Sequence, residues 1–154
     1  MLDDLRELYQ EVILDHGKRP RNFRHPDDAN REAHGNNPLC GDRLVVFLKV
    51  DDKGVIQDAA FEGRGCAIST ASASMMTEML KGKTADQAHR LFEAFHQLCT
   101  SDDPGEVPAD LADDLEKLQV LSGVRQFPMR VKCATLAWHT MNAAMAGDGA
   151  VSTE

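Results

Sequence analysis

The stretch Asn37-Pro38-Leu39-Cys40-Gly41-Asp42 constrains this chain more than any other. It sets a thiol and a carboxylate two residues apart, in a turn stiffened by Pro38 and freed by Gly41. Two further cysteines, Cys66 and Cys133, stand where the pattern of apolar residues starts to read as helix. We read Cys40, Asp42, Cys66 and Cys133 as converging on one metal, with the rest of the chain as the platform that holds them. A fold that does this must bring one turn and two helix starts together. The competing reading of each cysteine is an inert buried thiol, a common use of cysteine in reduced proteins.

A length of 154 residues suits a single domain with a sizeable core, which we place over 1–147, with 148–154 as a flexible tail. Seventeen basic against 25 acidic residues leave a net charge of −8, which argues against a general nucleic-acid surface. No apolar run approaches the roughly 20 residues that span a bilayer. Met1-Leu2-Asp3-Asp4 has neither a basic leader nor an apolar stretch, so the expected compartment is the cytoplasm, without membrane contact. Thiols are kept reduced there, and four widely spaced cysteines are better used for metal or thiol chemistry than for disulfides.

The periodicities give the scaffold. Leu5, Leu8, Tyr9, Val12 and Ile13 form one apolar stripe of a helix over 2–16, ended by Gly17 and Pro20. Lys18, Arg19, Arg21 and Arg24 follow, either as a solvated loop or as a docking patch for an acidic partner. Residues 25–41 read as a long loop, 43–50 and 55–62 as an antiparallel hairpin turning at Asp51-Asp52-Lys53-Gly54. Gly63-Arg64-Gly65 lets the backbone turn before Cys66. Helices are predicted over 67–80, whose methionines belong to the core, and over 85–98, opened by a capping box of Thr84 and Gln87. Residues 100–116 carry seven acids and no base, a surface excursion leading into a short helix near 111–121. Loop is expected over 123–132, with Pro128 fixing the approach to Cys133, then a last helix over 134–146 and a frayed end from Gly147.

Soft thiolates prefer zinc, Cu(I) or iron in sulfur-bridged clusters, and one carboxylate can complete a zinc tetrahedron. A thiol at a helix start faces unsatisfied N–H groups and the positive end of the dipole, which favours the thiolate. Cys99 lacks a glycine turn and reads as a thiol without a role. The histidines form no HxxxH or HExxH pair; His34 stands near enough to Cys40 to be kept in reserve, and His139 is expected to face away from Cys133.

Four ordered segments resemble the U-type iron–sulfur cluster assembly proteins: Leu8-Tyr9 to Asp15-His16 with Arg19-Pro20-Arg21-Asn22, then Asn37 to Asp42, then Gly63-Arg64-Gly65-Cys66-Ala67-Ile68-Ser69, then Phe127-Pro128-Met129-Arg130-Val131-Lys132-Cys133. Together they span nearly the whole chain. The chain is similar to the SufU branch rather than the IscU branch. IscU-type scaffolds carry histidine directly before the last cysteine, where Lys132 stands here, and SufU-type proteins carry an insertion where the acidic stretch 100–116 lies.

The resemblance implies an α+β fold, a small three-stranded antiparallel sheet with helices mainly on one face. It implies Cys40, Asp42, Cys66 and Cys133 as metal ligands, Cys40 as the sulfur-accepting thiol and Arg130 beside the site. The expected activity is zinc-dependent sulfur acceptance from a pyridoxal-phosphate cysteine desulfurase of SufS type, passing sulfur on to downstream cluster-assembly proteins. Such a protein is a relay rather than a stand-alone enzyme. The alternatives are a scaffold on which iron and sulfide are built into a [2Fe–2S] cluster, and an adaptor with a purely structural zinc.

Overall fold

In a computed structural model the chain is described over residues 2–38, 41–101, 107–147 and 149–152, with backbone only for 2–9 and 150–152. Helix α1 spans Leu2–Lys18 and is followed by strands β1 (Arg31–Asn37), β2 (Asp42–Val50) and β3 (Ile56–Arg64). Helices α2 (Ala67–Leu80) and α3 (Ala85–Thr100) come next, then α4 (Ala112–Leu118) between two 3₁₀ turns, Ala109–Leu111 and Gln119–Gln126. Helix α5 (Pro128–Ala146) and a short β4 (Ala150–Ser152) end the chain. The sheet order is β3-β2-β1-β4; the first three strands are antiparallel, as expected, and β4 joins β1 in parallel.

Side chains alternate across this sheet. Leu44, Val46, Leu48 and Val50 of β2, with Ile56, Ala59 and Phe61 of β3, point into the helical core. The outer face carries Glu32, His34 and Arg43, with Phe47 covered by the stacked ring of His25 at 4.1 Å. The layer order is thus helices on one face of the sheet and mostly polar residues on the other.

Close helix packing depends on small residues. Ser69, Ala71, Ser72, Ala73 and Ser74 of α2 are all buried, and Trp138 of α5 donates its indole N–H to Ser72 Oγ at 3.0 Å. Thr84 and Gln87 form the predicted capping box at the start of α3. Strand β1 lies directly under α5: a Cβ on Gly35 would stand 1.9 Å from Thr140 Oγ1. No described helix is long and apolar enough to cross a membrane.

Four local expectations differ from what is found. Residues 31–37 are strand rather than loop; their inward positions are Ala33, Gly35 and Asn37, too small and polar to read as a hydrophobic alternation. Residues 150–152, expected in a frayed end, hydrogen-bond along β1. The acidic stretch leads into a segment that belongs to the core, since Leu111, Leu115, Leu118, Leu121 and Val124 are buried; residues 102–106 lie outside the described residues. Helix α5 begins at Pro128, five residues earlier than Cys133, because proline fits the first helical position, where its missing N–H is not needed.

Candidate metal centre

Asp42, Cys66 and Cys133 come from the first residue of β2, the start of α2 and the second turn of α5. One carboxylate oxygen and the two sulfurs all lie within 4.8 Å of one another. Asp42 is 1% exposed. Its Oδ1 accepts the backbone N–H of Cys66 at 3.0 Å, which ties the hairpin to the helix start. Its Oδ2 is buried with no hydrogen-bond partner among the described residues. Burial of an unpaired carboxylate oxygen is costly unless a cation or donor meets it. One carboxylate oxygen with two thiol sulfurs is a donor set that could hold a cation, and its sulfur content suits zinc.

Two glycines shape this corner. Gly63 has φ +134, and a Cβ there would lie 2.1 Å from the Arg43 carbonyl oxygen, so only glycine lets β3 press against β2 at that rung. A Cβ on Gly65 would stand 2.8 Å from Asp42 Oδ1, in the space the carboxylate occupies. Cys66 is the N-cap of α2, and its sulfur accepts the N–H of Ser69 at 3.5 Å. That matches the predicted helix start.

Cys133 does not sit at a helix start. It is the sixth residue of α5 and 2% exposed, so its N–H belongs to the helical ladder and the dipole argument fails for it. Burial within the body of α5 holds it instead. Cys40, with Leu39, lies outside the described residues; Asn37 and Asp42 form the last β1–β2 pair.

The remaining candidates separate clearly. Arg130 is exposed in the first turn of α5, three residues before Cys133 and so on the same side of the helix. It lines an open cleft of about 510 Å³ with Ile13, Ile68, Val124 and Phe127. His34 is on the outer face of β1 near Glu32 (3.4 Å), opposite to the face of Asp42. His139 packs against Phe92 and His96, at 5.0 and 5.9 Å between ring centroids. Cys99 is fully buried in α3, and burial pushes its thiol up to about 12. Of the four cations at and after the end of α1, Arg21 pairs with Asp15 at 2.6 Å, Arg24 with Asp58 at 2.6 Å and Arg19 more loosely with Asp15 at 4.0 Å, so three of them have partners within the molecule.

Sequence reasoning missed Ser69. Besides its N–H on Cys66, its hydroxyl is buried with no partner among the described residues. The signal was present: Ser69 is three residues after the N-cap cysteine, the spacing of a capping contact.

A sequence profile of the NifU-like N-terminal domain matches residues 8–134. The chain is 41% identical over 143 residues to a zinc-dependent sulfurtransferase, SufU, of Bacillus subtilis, covering 93% of this chain and 92% of that one. It is 40% identical over 144 residues to an iron–sulfur cluster assembly scaffold protein, IscU, of Streptococcus pyogenes, covering 94% and 86%. Among solved structures it is similar to a protein of Fervidobacterium islandicum described as an iron–sulfur cluster assembly scaffold for the SUF system. There the identity is 31%, the TM-score 0.77, and the coverage 90% of this chain and 97% of that one.

Proposed function

The chain belongs to the NifU-like N-terminal domain family of iron–sulfur cluster assembly proteins, and on that premise we propose that it is a zinc-dependent sulfur acceptor for a cysteine desulfurase. The observation that carries this is the meeting of Asp42, Cys66 and Cys133 within 4.8 Å, from three segments far apart in sequence. The similarity to a zinc-dependent sulfurtransferase supports it. Cys40, two residues before Asp42 in the sequence, supplies the fourth donor and the reacting thiol. Zinc bound by this set keeps thiols deprotonated near neutral pH.

Cys66 and Asp42 are held by backbone contacts, Cys133 by the body of α5. Cys40 stands between Pro38 and Gly41 in the sequence, and in this scheme its thiol is the one that leaves the metal to meet the partner. The Cys40 thiolate attacks the outer sulfur of the desulfurase persulfide. A new S–S bond forms on Cys40, the old one breaks, and the donor cysteine leaves as a thiolate, so no net oxidation is needed. Arg130, three residues before Cys133, balances the incoming sulfur charge.

The test is brief reaction with desulfurase and free cysteine, then peptide mass analysis. Persulfide is expected on Cys40, and Cys40→Ala should abolish stimulation of the desulfurase. Persulfide chiefly on Cys66 or Cys133 would overturn the role of Cys40. A second function, assembly of a [2Fe–2S] cluster, is favoured by the scaffold relative and uses the same donors. Protein purified without added metal separates the two by colour: zinc protein is colourless, cluster-bearing protein brown.

A further inference from the structure

The last rung of the β2–β3 ladder sets Arg43 directly opposite Arg64. Both are exposed, and among the described residues neither makes an ion pair or a side-chain hydrogen bond. Like charges facing each other across a strand pair oppose that pairing. Elsewhere the arginines are mostly neutralised: Arg21 by Asp15, Arg24 by Asp58, Arg90 by Asp86 and Asp110. In a chain of net charge −8, this pair is set apart by two arginines facing each other with no ion pair among the described residues.

Its place gives it meaning. Arg43 follows Asp42 in β2, and Arg64 precedes Cys66 by two residues, so both flank the candidate metal centre. They lie on the outer, helix-free face and line an open depression of about 620 Å³ with His34, Asn36 and Val45. Neither side chain is buried, so nothing encloses a small free ion. An extended surface with negative charge would meet both guanidinium groups at once.

We propose that the Arg43–Arg64 pair is the docking contact for an acidic surface of the cysteine desulfurase. The inference rests on the sulfur-acceptor function proposed above. Sulfur carried on a protein persulfide can reach this chain only if the donor lies against the end of the sheet that bears Asp42 and Cys66. Rim charges of this kind act on encounter and on salt dependence rather than on the chemistry itself.

The experiment compares Arg64→Glu with Arg31→Glu, a control on an exposed strand arginine at the far end of β1, also without an ion pair among the described residues. Arg64→Glu replaces a facing like pair by a facing opposite pair, so the fold should be kept. Desulfurase stimulation is measured against the concentration of this protein at low and high salt. Arg64→Glu should raise the half-saturating concentration on the order of tenfold at low salt. That difference should shrink at high salt, with maximal rate and zinc content unchanged; Arg31→Glu should shift it less than about twofold. Equal shifts in the two variants, or a shift that ignores salt, would overturn the docking contact. So would Arg64-dependent retention of a short RNA with half-saturation unaltered. If the wild-type protein fails to stimulate the desulfurase at all, the function beneath the inference fails with it. Normal wild-type stimulation with Arg64→Glu unchanged sinks the docking contact alone.

Discussion

Cys66 and Cys99 are the same residue type in helices one after the other, with opposite surroundings. Cys66 caps α2, receives the Ser69 N–H and has the Asp42 carboxylate hydrogen-bonded to its own backbone. Cys99 is sunk in α3, and burial drives its thiol to about 12, so the thiolate is effectively absent at neutral pH. The difference shows what makes a cysteine chemical: backbone donors, a neighbouring carboxylate and a second thiol, rather than depth alone. Cys133 is as buried as Cys99 but shares a corner with Asp42 and Cys66.

The largest effect should come from removing a ligand on the reactive side of this comparison. Cys66→Ser or Cys133→Ala should cut bound zinc to less than about a tenth, and chelation of the wild type should lower Tm by about 10 °C, since binding to the folded state alone adds to stability. Unchanged Tm after verified metal removal would contradict a site shared among three segments.

Next in size is Gly65→Ala. Its Cβ would displace Asp42 Oδ1 from 2.8 Å. Zinc affinity should fall by about tenfold or more, at a stability cost of about 1–3 kcal/mol. A chelator competition that shows wild-type affinity would mean the carboxylate is not a ligand. Asp42→Ala should weaken zinc at least as much, yet the three thiols should still hold stoichiometric metal while sulfur transfer falls. Metal loss with full transfer would contradict that role.

On the other side, Cys99→Ser should leave zinc content and desulfurase stimulation within error, while costing about 1–3 kcal/mol for a hydroxyl buried in an apolar site. Loss of zinc in that variant would erase the distinction between the two cysteines.

The corner that holds Asp42, Cys66 and Cys133 was legible because its signals are local and chemically loud: Cys-Gly-Asp, Gly-Arg-Gly-Cys and a cysteine after Pro128. Strand β1 was not, since its inward residues are chosen for closeness to Thr140 of α5 rather than for hydrophobicity. The position of Cys133 inside α5 was hidden because Pro128 marks a loop and a first helical turn equally well. The core role of 111–124 was masked by the acids that alternate with its leucines. Where tertiary closeness, not local pattern, picks the residue, sequence periodicity is silent.

The smallest effect concerns pH. Burial lowers His16, with the Arg21 charge adding to it; burial, then His96, lowers His139. Both are held neutral in the fold, so their folded values lie below the unfolded one of about 6.5. Their share of stability is complete above that pH and is lost as pH falls through the folded values. The carboxylates lowered by Arg21, Arg24 and Arg90 lose their share of stability only below their ordinary value of 3.8. Tm should therefore decline between pH 7 and 5 by on the order of 2 °C, and His139→Gln should flatten part of that decline. A flat profile in the wild type would contradict neutral burial of these rings.

The most direct measurement is zinc K-edge absorption on protein purified without added metal. The expected first shell is three sulfurs at about 2.3 Å and one oxygen at about 2.0–2.2 Å, from Cys40, Cys66, Cys133 and Asp42, unchanged in Cys99→Ser. Four sulfurs, a histidine nitrogen in the shell, or no stoichiometric zinc would contradict the assignment of this corner as the metal centre.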